Sequence, residues 1–272
     1  MNSQLLPKKV RTSHLGEFKA SGQKFSCLTS YDQLTAQIFD EAGIEVILVG
    51  DSAADNALGY STTLPITVDE IIPFGRAVAG AVSRSLVVVD MPFGSYEISP
   101  EQALESAIRI MKFTGADAVK LEGGVRSAEQ IRAITTAGIP VMGHIGFTPQ
   151  SVNNLGGFKV QGRGDGAEAL IADANAVAEA GAFAVVLELV PAALAKAVSE
   201  TCGIATIGIG AGPDTDGQIL VWTDFAGLSS HKPKKFVKQY AQLRATLLAA
   251  AREYRQEIVS GVFPETERSF DS

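Results

Sequence analysis

Short apolar runs alternate along this chain with segments whose apolar residues recur at helical spacing. The runs are four or five residues long and rich in valine, isoleucine and leucine, which is typical of strands buried on both faces. Seven are clear and the last is weaker: Ser26–Ser30, Val46–Gly50, Leu86–Asp90, Ala118–Glu122, Val141–Ile145, Ala184–Glu188, Ala205–Ile209 and Gln218–Val221.

The segments between these runs predict helices, and several carry signals for where a helix begins or ends. Ser99 precedes Pro100, an N-cap followed by proline in the first turn. Gly138 and Gly181 stand where glycine is expected just past the end of a helix. The predicted helices are Gln33–Ala42, Val68–Val82, Glu101–Thr114, Ala128–Ala137, Ala167–Ala180 and Ala192–Thr201, with one or two more over Lys232–Glu257.

Eight strands that alternate with helices predict an α/β fold, a (β/α)8 TIM barrel with extra N-terminal and C-terminal helices. A doubly wound open sheet is the alternative. We expect one domain over residues 1–272, because α/β barrels often reach this length undivided. The barrel proper would cover about 25–230, and C-terminal helices and a tail would cover 231–272.

Composition excludes several classes of protein. The net charge of −7 and the lack of a basic cluster argue against a nucleic-acid binder. No apolar stretch approaches the about 20 residues that span a bilayer. Two cysteines suit a reducing compartment, and residues 1–19 lack the apolar core of a signal peptide. These features predict a soluble cytoplasmic protein without a membrane partner.

Charged side chains recur at one end of the predicted strands. Asp51, Asp90, Glu122 and Glu188 each follow or close an apolar run, and His144 lies in the fifth run. Parallel strands bring their carboxyl ends together, so a shared site is expected there.

Asp51 and Asp90 belong to neighbouring strands and would repel each other unless a cation lay between them. Oxygen ligands without cysteine favour a hard cation such as Mg²⁺ over zinc. Glu122 would be a third ligand or would hold metal-bound water. The alternative for each aspartate is a cap on the helix that follows.

The other charged residues of the set have alternatives of their own. Lys120 lies on the same strand face as Glu122 and needs an anionic partner, such as a substrate carboxylate. A structural Lys–Glu pair and a Schiff-base lysine are the alternatives. His144, between two glycines, is either a satisfied core residue or a functional one. Glu188 is suited to take a proton from a carbon next to a carbonyl, unless an arginine pairs with it.

Several longer motifs, spread over about Phe25 to Phe270, are similar to those of a known family. The motifs, in chain order, are Val49-Gly50-Asp51-Ser52, Leu64-Pro65-Ile66-Thr67, Asp90-Met91-Pro92-Phe93, Lys120-Leu121-Glu122-Gly123-Gly124, Gly143-His144-Ile145-Gly146-Phe147-Thr148-Pro149-Gln150-Ser151, Lys159-Val160-Gln161-Gly162-Arg163, Leu187-Glu188 and Ile207-Gly208-Ile209-Gly210-Ala211-Gly212. Together they resemble ketopantoate hydroxymethyltransferases.

The resemblance implies an enzyme of pantothenate biosynthesis. Such enzymes transfer a one-carbon unit from 5,10-methylenetetrahydrofolate to 3-methyl-2-oxobutanoate, giving 2-dehydropantoate through a Mg²⁺-stabilised enolate. Family members are typically homodecamers. The resemblance implies Mg²⁺ bound by Asp51 and Asp90, with Glu122 at or beside it. It implies Glu188 as the proton acceptor. The substrate-binding residues expected are Asp51, Ser52, Asp90, Lys120 and His144.

Two other functions compete with this one. Enzymes of the phosphoenolpyruvate mutase and isocitrate lyase group also bind Mg²⁺ and 2-oxo acids in a barrel. Their lyases carry a Lys-Lys-Cys-Gly-His motif, which this sequence lacks. The second alternative is a non-catalytic barrel that binds a keto acid or serves as an assembly scaffold. The intact set of charged residues argues against it.

Overall fold

The structure is a computed structural model that describes residues 8–270. The first seven residues of the predicted polar N-terminus and the last two of the predicted C-terminal tail lie outside the described residues.

Eight parallel strands close into a barrel in sequence order, with the first strand paired to the last. The predicted barrel is therefore confirmed, and the open sheet is excluded. The strands are β1 (Phe25–Thr29), β2 (Val46–Val49), β3 (Leu86–Asp90), β4 (Ala118–Glu122), β5 (Val141–Gly146), β6 (Ala184–Glu188), β7 (Ala205–Ile209) and β8 (Gly217–Leu220).

The inward-facing side chains of the strands are apolar inside the barrel and polar at its mouth. The inward side chains at the lower levels are apolar, as in Val46, Val88 and Val186, and they belong to one buried core. Side chains two residues apart on a strand share a face. The inward positions nearest the carboxyl ends of β3 to β6 are therefore the polar ones, which places the charged residues above the core.

The register of the strands fixes which charged residues become neighbours. Asp90 pairs with Lys120 across β3 and β4, and Glu122 pairs with His144 across β4 and β5. Glu188 lies opposite Gly146. A Cβ on Gly146, whose φ is +89°, would approach the carbonyl oxygen of Glu188 to 2.4 Å. Only glycine lets these two strands meet so closely at the mouth.

Helices surround the barrel, and their caps follow the signals in the sequence. Ser99 accepts a hydrogen bond from the backbone N–H of Gln102, and Gly138 and Gly181 have positive φ angles. The helices of the first compact unit, Met1–Val221, are α1 (Thr12–Ser21), α2 (Gln33–Glu41), α3 (Ala53–Asn56), α4 (Val68–Ala79), α5 (Pro100–Thr114), α6 (Ala128–Thr136), α7 (Val152–Leu155), α8 (Gly166–Glu179) and α9 (Ala192–Thr201), with 3-10 turns at Val125–Ser127 and Pro149–Ser151.

The second compact unit, Trp222–Ser272, contains α10 (Trp222–Phe225), α11 (Leu243–Ser260) and a 3-10 turn at Thr266–Arg268. The predicted helix over Lys232–Glu257 is wrong for its first part, because helix begins only at Leu243. Tyr240 instead donates its backbone N–H to the Phe225 carbonyl at 2.8 Å, and the two rings stack. The single domain over residues 1–272 stays a prediction.

Candidate active site

Six ionisable side chains from the carboxyl ends of β2 to β6 converge inside the mouth of the barrel. Each is buried, although each carries or can carry a charge. Buried charge is retained only where partners compensate the loss of water, so the contacts among these groups decide what the site can do. The six residues are Asp51, Asp90, Lys120, Glu122, His144 and Glu188.

Lys120 pairs with the strand next to its own. Its Nζ lies 2.8 Å from Oδ1 of Asp90 and 3.3 Å from Nδ1 of His144. Burial alone would lower the pKa of Lys120, but the charges of Asp90 and Glu122 outweigh it and raise the pKa above its ordinary value. The partner is thus Asp90 instead of a glutamate across the barrel. A protonated amine is also a poor nucleophile, which argues against Schiff-base chemistry.

His144 bridges two glutamates. Its Nδ1 lies 3.4 Å from Oε1 of Glu122, and its Nε2 lies 3.3 Å from Oε2 of Glu188. Burial and the Lys120 charge lower the pKa of His144, but its close contacts with the two glutamates raise it to about 9. Within the described residues, the ion-pair partner of Glu188 is this histidine and not an arginine.

Asp51 and Asp90 lie side by side at the carboxyl ends of two neighbouring strands, Asp51 just past β2 and Asp90 as the last residue of β3. The backbone N–H of Asp51 donates to Oδ2 of Asp90 at 2.9 Å. Burial, then the charges of Asp90 and Glu122, raise the pKa of Asp51 to about 8. Burial also raises the pKa of Asp90, against the opposing effect of Lys120. Neither aspartate has the role of a simple helix cap.

Ser52 is held at the same edge. Its Oγ lies 2.7 Å from the hydroxyl of Tyr31, which follows β1. A Cβ on Gly50 would lie 2.7 Å from Oγ of Ser52 and 3.5 Å from Oδ2 of Asp90. Both side chains therefore converge over Gly50, and glycine leaves the space that they occupy.

Gln150 was not predicted as a site residue, yet it contacts the site at several points. It lies in the 3-10 turn after β5 and is buried. Its Nε2 donates to Oδ2 of Asp51 at 2.9 Å, and its backbone N–H donates to Oε2 of Glu122 at 3.0 Å. Its Oε1 accepts from the Tyr96 hydroxyl at 2.5 Å. The signals in the sequence were its position just past a strand end and its place in the motif Gly143–Ser151, neither of which indicates what the side chain contacts.

The fit of these residues to Mg²⁺ depends on charge and on donor type. Among residues 8–270, no three histidine, cysteine, aspartate or glutamate side chains form a ready metal-binding group. The oxygens of Glu122 face His144 and Gln150 instead. Asp51 and Asp90 nevertheless supply adjacent buried carboxylates, the donors that Mg²⁺ prefers. Four carboxylates face two basic groups here, so full ionisation leaves a charge that a divalent cation would balance. The aspartate pair fits Mg²⁺.

Comparison with known proteins identifies the family. A family model described as ketopantoate hydroxymethyltransferase matches residues 9–266. The chain belongs to this family. The 3-methyl-2-oxobutanoate hydroxymethyltransferase of Leifsonia xyli subsp. xyli is 64% identical, over 97% of this chain and 95% of that protein. The protein of the same description from Mycobacterium tuberculosis (strain ATCC 25618 / H37Rv) is 61% identical, over 96% of this chain and 93% of that one.

Solved structures with low sequence identity share the fold of this ketopantoate hydroxymethyltransferase family member. A phosphonopyruvate hydrolase superposes with a TM-score of 0.62 at 15% identity, over 97% of this chain and 92% of that one. A 2,3-dimethylmalate lyase of the PEP mutase/isocitrate lyase superfamily gives 0.59 at 15% identity, over 96% and 91%. At this identity the likeness concerns the barrel alone.

Family membership sets the overall reaction. The chain is an enzyme of hydroxymethyl transfer to 3-methyl-2-oxobutanoate in pantothenate biosynthesis, with methylenetetrahydrofolate as the co-substrate. The lyase and scaffold alternatives are therefore set aside. The roles of the individual residues remain to be assigned.

Proposed function

We propose that Glu188 is the base that starts the reaction by removing the C3 proton of 3-methyl-2-oxobutanoate. The observation that carries this proposal is the difference in exposure among the carboxylates. The side chain of Glu188 is 12% exposed, against 3% for Asp90 and 1% for Glu122. Of these three, Glu188 is the one that a substrate in the barrel mouth reaches most easily.

His144 supports this role through its position. Its Nε2 faces one oxygen of Glu188 at 3.3 Å, which orients the carboxylate and leaves the other oxygen to accept a proton. The C3–H electron pair then passes into the C2–C3 bond and gives an enolate. The enolate carbon forms the new bond to the methylene carbon of the co-substrate, the bonds from that carbon to the folate nitrogens break, and water supplies the hydroxyl oxygen as tetrahydrofolate leaves.

Asp51 and Asp90 would hold Mg²⁺, because they are the adjacent buried carboxylates of the site. The cation would supply positive charge where the enolate oxygen develops negative charge. Lys120, fixed at 2.8 Å from Asp90, supplies a second positive charge for an anionic substrate. Ser52 is available to hydrogen-bond the keto acid at the same edge. Glu122 contacts His144 and the Gln150 backbone and would lie at the metal or beside it.

The variant Glu188→Gln tests the base directly. It keeps the size of the side chain but removes the proton acceptor, a loss that typically reduces the rate by about 10²–10⁴-fold. We expect it to bind Mg²⁺ and keto acid as the wild type does. It should fail to exchange the C3 hydrogen with deuterated water when folate is absent, as followed by proton NMR of the substrate.

Glu179→Gln provides a matched control, because Glu179 is exposed at the end of α8. It should exchange at the wild-type rate. Wild-type exchange in the Glu188→Gln variant would exclude Glu188 as the base and direct attention to His144.

A further inference from the structure

We propose that Gln150 is a positioning residue, whose side-chain amide fixes the Asp51 carboxylate in the orientation that holds Mg²⁺. This inference rests on the proposed function, since it assumes that Asp51 is a metal ligand. It concerns a different residue, which touches neither the reacting carbon nor the cation. In the buried loop after β5, Gln150 makes four hydrogen bonds, and its proposed role depends on them.

The orientation of the amide is determined by its neighbours. Nε2 lies 3.1 Å from the Met91 carbonyl oxygen and 2.9 Å from Oδ2 of Asp51. A carbonyl oxygen can only accept, so the NH₂ group must face these two atoms. Oε1 therefore points to the Tyr96 hydroxyl, which must donate to it. Both hydrogens of the amide are then donated, one to Asp51 and the other to the Met91 carbonyl oxygen.

The Tyr96 hydroxyl extends this arrangement to Glu122. With its proton given to Oε1 of Gln150, the Tyr96 oxygen accepts from the backbone N–H of Glu122 at 3.2 Å. The backbone N–H of Gln150 donates in turn to Oε2 of Glu122 at 3.0 Å. The three residues form a closed circuit in which each donor has one acceptor. Buried circuits of this kind hold a single geometry, because any rotation leaves a polar group unpaired.

The hydrogen bonds of Gln150 join the ends of four strands. Gln150 itself follows β5, Asp51 follows β2, Met91 follows β3, and Glu122 closes β4. Gln150 therefore links Asp51, a proposed metal ligand, to the residue that follows Asp90 and to the end of β4. Partners that orient a metal ligand in this way are typically worth about 10–100-fold in metal affinity.

The length and the donor group of glutamine are both required. Asparagine is one methylene shorter and would not span from its own backbone to Asp51 and Tyr96 together. Glutamate would put an acceptor against the Asp51 carboxylate and the Met91 carbonyl. Methionine keeps the length and most of the volume but has no donor, so Gln150→Met isolates the hydrogen bonds.

The experiment compares Gln150→Met and Tyr96→Phe with wild type and with the control Gln37→Met. Gln37 lies in helix α2, outside the set of site residues, and is not among the buried residues of that helix. Calorimetry of Mg²⁺ binding with 3-methyl-2-oxobutanoate, without folate, should show affinity about 10–100-fold weaker in Gln150→Met. Tyr96→Phe should show a smaller loss in the same direction, because the amide keeps its contact with Asp51. The control should bind as wild type does.

A second measurement separates positioning from general loss of structure. Raising the Mg²⁺ concentration should restore the turnover number of Gln150→Met to near the wild-type value, below its unfolding temperature. A variant that is damaged in the barrel would not recover in this way. If Gln150→Met does not fold, Tyr96→Phe decides, and unchanged Mg²⁺ affinity in that variant overturns the inference.

Binding by the wild-type protein distinguishes failure of the metal site from failure of the role of Gln150. Keto-acid binding that is independent of Mg²⁺ in the wild type would overturn the assigned metal site and this inference with it. Wild-type binding that depends on Mg²⁺, combined with unchanged affinity in folded Gln150→Met, would overturn the role of Gln150 alone.

Discussion

Among the single residues of the site, the four carboxylates, when ionised, carry more negative charge than the two basic side chains can balance. Asp51 shows this most clearly, because burial and the nearby Asp90 raise its pKa to about 8. Between about pH 4 and pH 8 the folded state therefore binds a proton at Asp51 that the unfolded chain has lost. In the absence of a cation, this residue reduces stability as the pH rises through that range.

The variant Asp51→Asn should remove both the metal ligand and this pH dependence. We expect it to lose Mg²⁺-dependent binding of 3-methyl-2-oxobutanoate in calorimetry, with the barrel still folded. Without metal, its stability should fall less than that of wild type between about pH 4 and pH 8. The exposed Asp214 offers a control, since Asp214→Asn should change neither property.

Asp90→Ala should lose the same binding but should also destabilise the protein. It leaves Lys120 buried without its partner at 2.8 Å, a loss typically worth about 3–5 kcal/mol. Mg²⁺-dependent binding that survives in both aspartate variants would refute the assigned metal site.

Among the helices and strands, local sequence patterns were enough to predict most of the barrel. The segments whose conformation depends on tertiary contacts could not be predicted in this way. Runs such as Leu86–Asp90 matched the strand bounds, because burial on both faces leaves an unbroken apolar signal. The prediction of a helix that begins at Lys232 was wrong. Phe225 and Tyr240 contact each other, and the chain between them forms turns. Contacts between residues distant in the chain left no local pattern to read.

The same distinction explains which site residues could be predicted. The charged residues ended apolar runs, and the topology of a barrel then required them to meet. Gln150 lies 99 residues from Asp51 in the chain, within a loop that has no periodicity. It lies in the family-like motif Gly143–Ser151, but its side chain is neutral and indicates no chemistry of its own, so its contacts with Asp51 and Tyr96 became apparent only in the folded structure.

Asp40, near the end of α2, supports a pH prediction at this scale. It accepts hydrogen bonds from the backbone N–H groups of Ser83 and Arg84 and from Ser85 at 2.6 Å. Burial alone would raise the pKa of Asp40, but these bonds outweigh it and lower the pKa to about 2. The stability that they contribute is present above about pH 4 and is lost as the pH falls towards 2.

Replacing Asp40 by asparagine should remove that acid-sensitive contribution. We expect Asp40→Asn to lower the free energy of unfolding at pH 7 by about 1–2 kcal/mol, allowing for partial exposure of the site. Between pH 4 and 2 the difference from wild type should shrink. Urea unfolding at several pH values measures this, and a constant difference across that range would contradict the assignment. Asp214→Asn again serves as the control.

For the protein as a whole, location and assembly depend on the surface and not on the barrel interior. No helix in the part of the chain that the structure describes is long and apolar enough to cross a membrane. The cytoplasmic location and the homodecamer stay predictions. Helix α11 is relevant to the predicted homodecamer, because none of its residues is buried in the structure.

The helix α11 carries an exposed apolar stripe that should take part in assembly. Leu243, Leu247, Tyr254 and Ile258 are exposed, and their spacing places them within one narrow face of the helix. An exposed apolar face of this kind marks an interaction surface in a protein that remains in solution. We therefore expect an oligomer in sedimentation at micromolar concentration, with the second compact unit contributing to its contacts.

The double variant Leu247→Asp and Ile258→Asp should shift the sedimenting species to lower mass, because it places charge in the apolar contact. Gln256→Asp, on the opposite side of the same helix, adds charge outside the stripe and should leave the mass unchanged. Circular dichroism should show that both variants keep their helix content. A wild-type protein that sediments as a monomer would reject the predicted assembly. An intact oligomer in the double variant would instead show that the interface lies on another surface.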